Sequence, residues 1–216
     1  MFGVVKGIRK LVEDINGVMH KSVEEFSVKT IEVDGFKAAE RALRLPFGNK
    51  NAPRETDPVY FSLSKDDRPH TVYCSNLDLM SKLVKRGDEH AKVLRGIVAW
   101  CEINAPRYWW QEMATYRVGA ECLSSESTMH IEGQGLDEDA LVEMKENLPE
   151  GHMQKRIWMF SYQTLRRIYF QRRNHRLPQW RIFCDWIKTL PFSDDLITID
   201  GTGDNKDQRV PNADNA

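Results

Sequence analysis

Between Gly151 and Cys184 the sequence has no acidic residue at all. Elsewhere its charges balance, with 31 Lys and Arg against 32 Asp and Glu and a formal net charge of -1. Balanced charge argues against a nucleic-acid coat or a protein held at a membrane by charge alone. No apolar run approaches the roughly 20 residues of a transmembrane helix. The first residues, "MFGVVKGIRKLVEDING", mix charges into the apolar positions and lack a signal-peptide core with a cleavage site. A cytoplasmic location is therefore expected. Cysteine is scarce: Cys74, Cys101, Cys122 and Cys184 form no CxxC pair, which removes a zinc ribbon and leaves the expectation of buried free thiols. The histidines have no HxxxH or HExxH spacing, so no metal site is expected. There is no GxGxxG, no Walker A loop and no GxSxG elbow.

What is present reads as alternating elements. "TIEVDG" predicts a strand and a turn, and "FKAAERALRL" fits either a helix or a strand. Residues 45–58, with three prolines, read as a loop, and "VYFSLS" as a strand. "SNLDLMSKLVKRG" has helix punctuation: Ser75 as a cap, an apolar stripe of Leu77, Met80, Leu83 and Val84, and Gly87 as a stop. "IVAWCEI" reads as a buried strand. "PRYWWQEMATYRVG" reads as a helix opened by Pro106 and ending near Gly119. Trp109 and Trp110 are about 100° apart on such a helix, so one of them is expected at a subunit interface. "DEDALVEMKENL" reads as an acidic, exposed helix. The acid-free window predicts two helices. The first turns Tyr162, Leu165, Ile168 and Tyr169 inward. The second starts at Pro178, carries Phe183, Trp186, Ile187 and Leu190, and stops at Pro191. One domain over 1–195 and an acidic, disordered tail over 196–216 complete the expected organisation.

Two groups of residues stand out chemically. Arg166, Arg173 and Arg176 fall near one helical stripe, with Arg172 beside it and no carboxylate in the window to pair with. A solvated helix face would explain this, but such faces usually intersperse acids. Concentrated guanidinium suits phosphate, on a nucleotide or on a nucleic-acid backbone. Ser124, Ser125, Ser127 and Thr128 follow the aromatic helix, and they suit either a helix cap or hydrogen bonds to a phosphate.

The order of these features resembles the flavin-dependent thymidylate synthases. His90, in "GDEHAKVLRG", matches the first histidine of that family's HxxFEH-type segment, and Arg95 stands where the second would be. The strand and aromatic helix follow. Thr115, Tyr116 and Arg117 then stand at the family's RHR, and Ser127 at its later serine, with Met129 and His130 in place of the Arg-Tyr. "SYQTLRRIYFQRRNHRLPQWRIFCDWI" is similar to the NxRxL…LR…QWEIR segment. Arg172 matches the arginine of LR, and Gln179 and Trp180 match QW. Ser161 and Gln163 replace the Asn and Arg, and Phe183 replaces the arginine that assists methyl transfer. The likeness spans about residues 75–190.

The resemblance implies an α/β (α+β) fold with a central mixed or antiparallel sheet flanked by helices and an aromatic-rich helical half. It implies flavin-dependent C5 methylation, or a variant such as hydroxymethylation, of a pyrimidine deoxynucleotide such as dUMP. FAD would be the cofactor, with NADPH and methylenetetrahydrofolate as co-substrates, in a phage-type homotetramer. It assigns catalysis to Arg117 and Arg181. Cofactor binding falls to His90, Arg95, Arg117, Arg172, His175 and Gln179. Substrate binding falls to Gln111, Arg117, Ser125, Ser127 and Arg172. The alternative is a nucleotide- or nucleic-acid-binding protein of the same descent without catalysis; nucleic acid is the less favoured ligand.

Overall fold

The computed structural model describes residues 22–47, 59–62 and 71–201. The loop expected over 45–58 lies outside these from residue 48 on, and the tail from residue 202 on.

In chain order the elements are β1 (Ser27–Asp34), α1 (Phe36–Arg44), a 3-10 turn (Leu45–Phe47), β2 (Val59–Ser62), β3 (Thr71–Cys74) and α2 (Leu77–Lys85). A 3-10 turn (Lys92–Arg95), β4 (Val98–Pro106), α3 (Arg107–Met113), β5 (Ala120–Ser125), α4 (Thr128–Ile131) and α5 (Glu138–Glu146) follow. The last described elements are β6 (Met153–Ser161), α6 (Tyr162–Arg172), α7 (Pro178–Lys188) and α8 (Ser193–Leu196).

Four strands form an antiparallel sheet in the order β1-β4-β6-β5, and β2 and β3 form a separate two-stranded ribbon. Both outer strands of the larger sheet are bulged, β1 between Thr30 and Glu32 and β5 between Cys122 and Ser124. Along β4 the side chains of Ala99, Cys101, Ile103 and Ala105 are buried, while Val98, Trp100, Glu102 and Asn104 on the other face are half-buried. This period of two is what a strand with one core face requires. Their register partners on β6, Trp158 and Phe160, stack at 5.6 Å on the same core face.

Helices α3 and α7 fill that face with aromatic rings. Trp109 meets Trp180 at 4.7 Å, Phe26 at 5.2 Å and Phe183 at 5.6 Å, and Trp110 lies parallel to Trp158. Trp109 and Trp110 are 0% and 2% exposed, so neither faces a subunit interface. The expectation fails because α3 has only seven residues and is wedged between β6 and α7. Directions about 100° apart are then both inside one core. The helix also ends at Met113 and not near Gly119, and Pro106 is its N-cap in extended backbone, not its first residue. "FKAAERALR" resolves as a helix, with Phe36, Ala39, Glu40 and Leu43 buried.

The start of α2 is not capped by Ser75. The buried carboxylate of Glu40, on α1, accepts from Ser75 N–H, Ser75 Oγ, Asn76 N–H at 2.8 Å and Asn76 Nδ2 at 3.3 Å. A side chain from another helix thus satisfies donors that a local cap would otherwise serve. At Gly35, φ is +98°, and a Cβ would fall 1.8 Å from Gly96 O, so only glycine fits there.

The packed chain runs past residue 195, because Leu196 and Ile197 are buried. Arg166 ties down this end by donating to the carbonyls of Ile197 at 2.8 Å and Ile199 at 2.6 Å. Cys74, Cys101 and Cys184 are buried, and burial pushes the thiols of Cys74 and Cys184 up to about 12; Cys122, on an outer strand, is exposed. Among the described residues no helix is long and apolar enough to cross a membrane, and no cluster of metal-ligating side chains is present.

Candidate functional site

The arginines of the acid-free window do not act as one stripe. Arg166 serves the C-terminal carbonyls, over the Phe170 ring at 4.8 Å. Arg173 lies over Phe170 at 4.9 Å and faces Asp200 at 3.8 Å. Arg172 is paired, contrary to expectation. Its Nη1 donates to Glu112 Oε2 at 2.9 Å and to His175 Nε2 at 2.8 Å, and its Nε donates to Tyr116 Oη at 2.8 Å. Its guanidinium lies over the Trp180 ring at 4.6 Å. Trp180 Nε1 donates to the same Glu112 oxygen at 2.8 Å.

This half-buried cluster joins α3, α6 and α7. Arginine and the backbone can only donate here, Arg172 Nη1 toward His175 Nε2 and Leu177 N–H toward Nδ1 at 3.2 Å, so both neighbours disfavour a second proton on the ring. Its environment agrees: burial and the Arg172 charge hold the imidazole below its ordinary value of 6.5, against the pull of Glu112. The arrangement braces three helices and has its positive charge already neutralised. Two residues expected to touch ligand, Arg172 and His175, are thus brought together as a brace.

A second arrangement has the opposite electrostatics. Ser161 Oγ caps α6 by accepting from Thr164 N–H at 3.3 Å. The turn at Val118 and Gly119 is pinned to this cap: Thr164 Oγ1 donates to Val118 O at 2.6 Å and Ser161 N–H to Gly119 O at 2.8 Å. Gly119 has φ +69°, and a Cβ there would sit 2.5 Å from Ser161 Oγ, so the close approach demands glycine. The turn places Arg117 beside α6, where Arg167 Nη2 donates to Val118 O at 3.3 Å. One helical turn earlier on the same face, Gln163 Oε1 accepts from Arg95 Nε at 2.7 Å. Arg95 and Arg167 therefore sit on the exposed flank of α6, and exposed Arg117 is the chain neighbour of the Val118 carbonyl that Arg167 reaches. Among the described residues none of the three meets a carboxylate. Unlike the paired Arg172, these guanidinium groups donate only to neutral oxygens among the described residues, so their charge is not neutralised. Sequence reading named Arg95 and Arg117 as candidates and Gln163 as a motif replacement, but did not single out Arg167. The i, i+4 spacing of Gln163 and Arg167 was visible, but the turn that brings Arg117 to them comes from a distant segment.

The other expected residues lie apart from this row. His90 is exposed in the turn before the 92–95 segment, with Glu89 at 3.6 Å. Arg181 donates to the carbonyls of His175 at 2.7 Å and Arg176 at 3.2 Å. Gln111 donates to Glu150 at 2.8 Å on the far end of α3. Gln179 is buried, and its Nε2 donates to Tyr108 Oη at 2.5 Å. Ser125 is exposed at the end of β5. Ser127 stands at the start of α4, where its side chain meets His130 Nδ1 at 2.9 Å rather than capping the helix.

No protein-family model matches the sequence, and no curated protein is significantly similar to it. The fold, however, is shared with solved structures. A thymidylate synthase X (ThyX) from Helicobacter pylori, crystallised with FAD and dUMP, superposes with a TM-score of 0.57 at 13% identity. That likeness covers 80% of this chain and 97% of the other. A further structure of the flavin-dependent thymidylate synthase ThyX from the same organism, also complexed with FAD and dUMP, gives a TM-score of 0.55 at 14% identity. It covers 80% of this chain and 98% of its own. The chain thus has the α/β fold of these enzymes, with an antiparallel sheet and an aromatic helical core.

Proposed function

We propose that this protein binds a flavin dinucleotide and a pyrimidine deoxynucleotide, and carries out flavin-dependent C5 modification of a nucleotide such as dUMP. The observation that carries this reading is Arg95 and Arg167 on the flank of α6 with exposed Arg117 next to the Val118 carbonyl that Arg167 reaches, three guanidinium groups that meet no carboxylate among the described residues. Such a donor set fits a diphosphate, whose adjacent anionic oxygens take forked N–H donors. The fold shared with proteins crystallised with FAD and dUMP supports FAD as that diphosphate. When bound, FAD would supply the redox part of the reaction, with NADPH and methylenetetrahydrofolate as co-substrates. The chain's own part is to grip phosphate through these arginines, to fix Arg117 through the Gly119 turn, and to hold α6 rigid through its Ser161 cap. The resemblance to the flavin-dependent synthases further supports a cytoplasmic homotetramer of phage type.

One observation favours a second reading, nucleotide binding without catalysis. Arg172 is consumed by Glu112 and Tyr116, and Phe183, at the position of the methyl-transfer arginine in the family, is fully buried. The resemblance would put Arg172 at the ligand and an arginine at position 183; the first is paired within the fold and the second is a buried phenylalanine.

The test is the absorbance of freshly purified and FAD-titrated protein, followed by dUMP-dependent NADPH oxidation with methylenetetrahydrofolate. Bound flavin with turnover is the expected result. Bound flavin without turnover selects the second reading, and failure to bind either flavin or nucleotide overturns both.

A further inference from the structure

Four exposed large apolar side chains lie in one segment that the arginines of α6 do not use. Met129 and Ile131 are on α4, Leu136 is in the turn that follows, and Val142 is on α5, all between 42% and 57% exposed. The two helices are joined from their other side. Lys145 of α5 donates to Thr128 Oγ1, and a Cβ at Gly133 would fall 2.5 Å from Cδ1 of Leu141. Helix α5 nevertheless has no buried residue. A helix this short is marginal in water unless an apolar side is packed against something. Its surface is also strongly acidic. Glu138 and Glu146 stand one helical turn before and after Val142, with Asp139 and Glu143 beside them, against the single base Lys145.

Such a face suits an occupant that is apolar along one side and basic outside it, and the chain contains that sequence. In residues 1–21, which precede the described part, Val4, Ile8, Leu11, Ile15 and Val18 recur at helical spacing. On a helix they form one stripe, with Lys6, Arg9 and Lys10 outside it. Residues 1–12 hold these three bases and no acid. Gly3, Gly7 and Gly17 lower the helix propensity, so an apolar surface is needed to stabilise it.

The described chain begins within reach of that face. Ser22 Oγ lies 3.4 Å from Tyr108 Oη, and the Tyr108 N–H donates to Glu150 O at 3.2 Å. Glu150 closes the turn after α5, where Arg107 Nη1 also donates to Leu148 O at 3.1 Å. His152, two residues on, has its Nε2 3.1 Å from Oε1 of Glu132, the residue after α4. Residue 22 thus stands at the foot of both helices. Sixteen helical residues, 4–19, span about 24 Å, against about 14 Å for the nine of α5.

We propose that residues 4–19 dock as an amphipathic helix on the exposed face of α4 and α5 of the same chain. The apolar stripe covers Met129, Ile131 and Val142, and the bases face the carboxylates of α5. The docking is independent of the nucleotide reading.

The experiment is hydrogen–deuterium exchange of the full-length protein, read by mass spectrometry, with light scattering and melting temperature on the same samples. Residues 4–19 and the α4–α5 segment should both be protected, equally at low and high protein concentration. The double variant Ile8→Asp, Leu11→Asp should speed exchange of α4–α5 about tenfold to a hundredfold. Added salt should act in the same direction, because the charge attraction is at the surface. Unchanged α4–α5 exchange in the double variant overturns the docking, as does fast exchange of residues 4–19 in the wild type, which leaves the face to another protein. Protection that appears only at high concentration, together with a dimer, overturns it in favour of a second copy. Should the double variant precipitate, Val142→Asp decides. Residue 142 is exposed, so the fold tolerates the change, and wild-type exchange of residues 4–19 in that variant overturns the proposal.

Discussion

Arg172 and Glu112, sixty residues apart in sequence, meet at 2.9 Å and tie α6 to α3. The ion pair is one-fifth and one-third exposed on its two sides and shares its oxygen with Trp180 Nε1. Replacing Arg172 with Ala removes the donors to Glu112, Tyr116 and His175. We expect a loss of roughly 1–3 kcal/mol, read as a lowered urea midpoint with an unchanged slope. A stable Arg172→Ala protein with impaired nucleotide binding would return Arg172 to the binding site.

Acid should weaken the same brace. His175 faces Arg172 from α6, Glu112 from α3 and Arg181 from α7, and its imidazole titrates below 6.5 in the folded protein. The unfolded chain therefore takes up the proton first as pH falls. Above about pH 6.5 the group contributes no pH dependence, and as pH drops through that value the folded state loses stability. Denaturation midpoints of wild type and His175→Gln should run parallel above pH 7. Between pH 6.5 and pH 5 the wild type should fall more steeply. Curves that stay parallel down to pH 5 would show that the ring is not held neutral.

Glu40→Ala should be among the more damaging polar substitutions. It strips one buried acceptor from four donors of Ser75 and Asn76 at the start of α2. The orphaned backbone donors make the expected cost about 2–4 kcal/mol, and Glu40→Gln, which keeps a carbonyl oxygen, should cost less. Equal stability of the Ala and Gln variants would show that the acceptor is not what holds the helix.

Gly119→Ala tests the turn that positions Arg117. The backbone has φ +69°, and the added methyl would come within 2.5 Å of Ser161 Oγ and 2.7 Å of Thr164 Oγ1. A cost of about 1–3 kcal/mol is expected. Weaker binding of FAD should accompany it, because Arg117 shifts with the turn. Unchanged FAD affinity would detach Arg117 from the flavin.

Much of the helical architecture was legible in the sequence, because it is locally encoded. Pro178 opens α7, and the spacing of Phe183, Trp186, Ile187 and Leu190 marks its buried side. Strands β5 and β6 were not. "MQKRIWMFS" places Gln154 and Arg156 on the core face, so its alternation is masked by two polar residues that the sheet edge tolerates. The pairing of Arg172 was equally invisible: counting acids within one window says nothing about Glu112 arriving from another helix. Both failures concern long-range contacts, and the site is made largely of these.

The two bulges bear on how the protein behaves when crowded. Among the described residues β1 and β5 are the outermost strands, and each skips its register at an aliphatic side chain, Ile31 and Leu123, which are 46% and 57% exposed. An outer strand with a straight row of unpaired amides and an apolar side chain invites another chain to add on. Here the row of amides is broken where the surface is greasiest. A stray strand attracted to either side chain would find its hydrogen bonds out of step, which guards concentrated protein against sheet-to-sheet polymerisation.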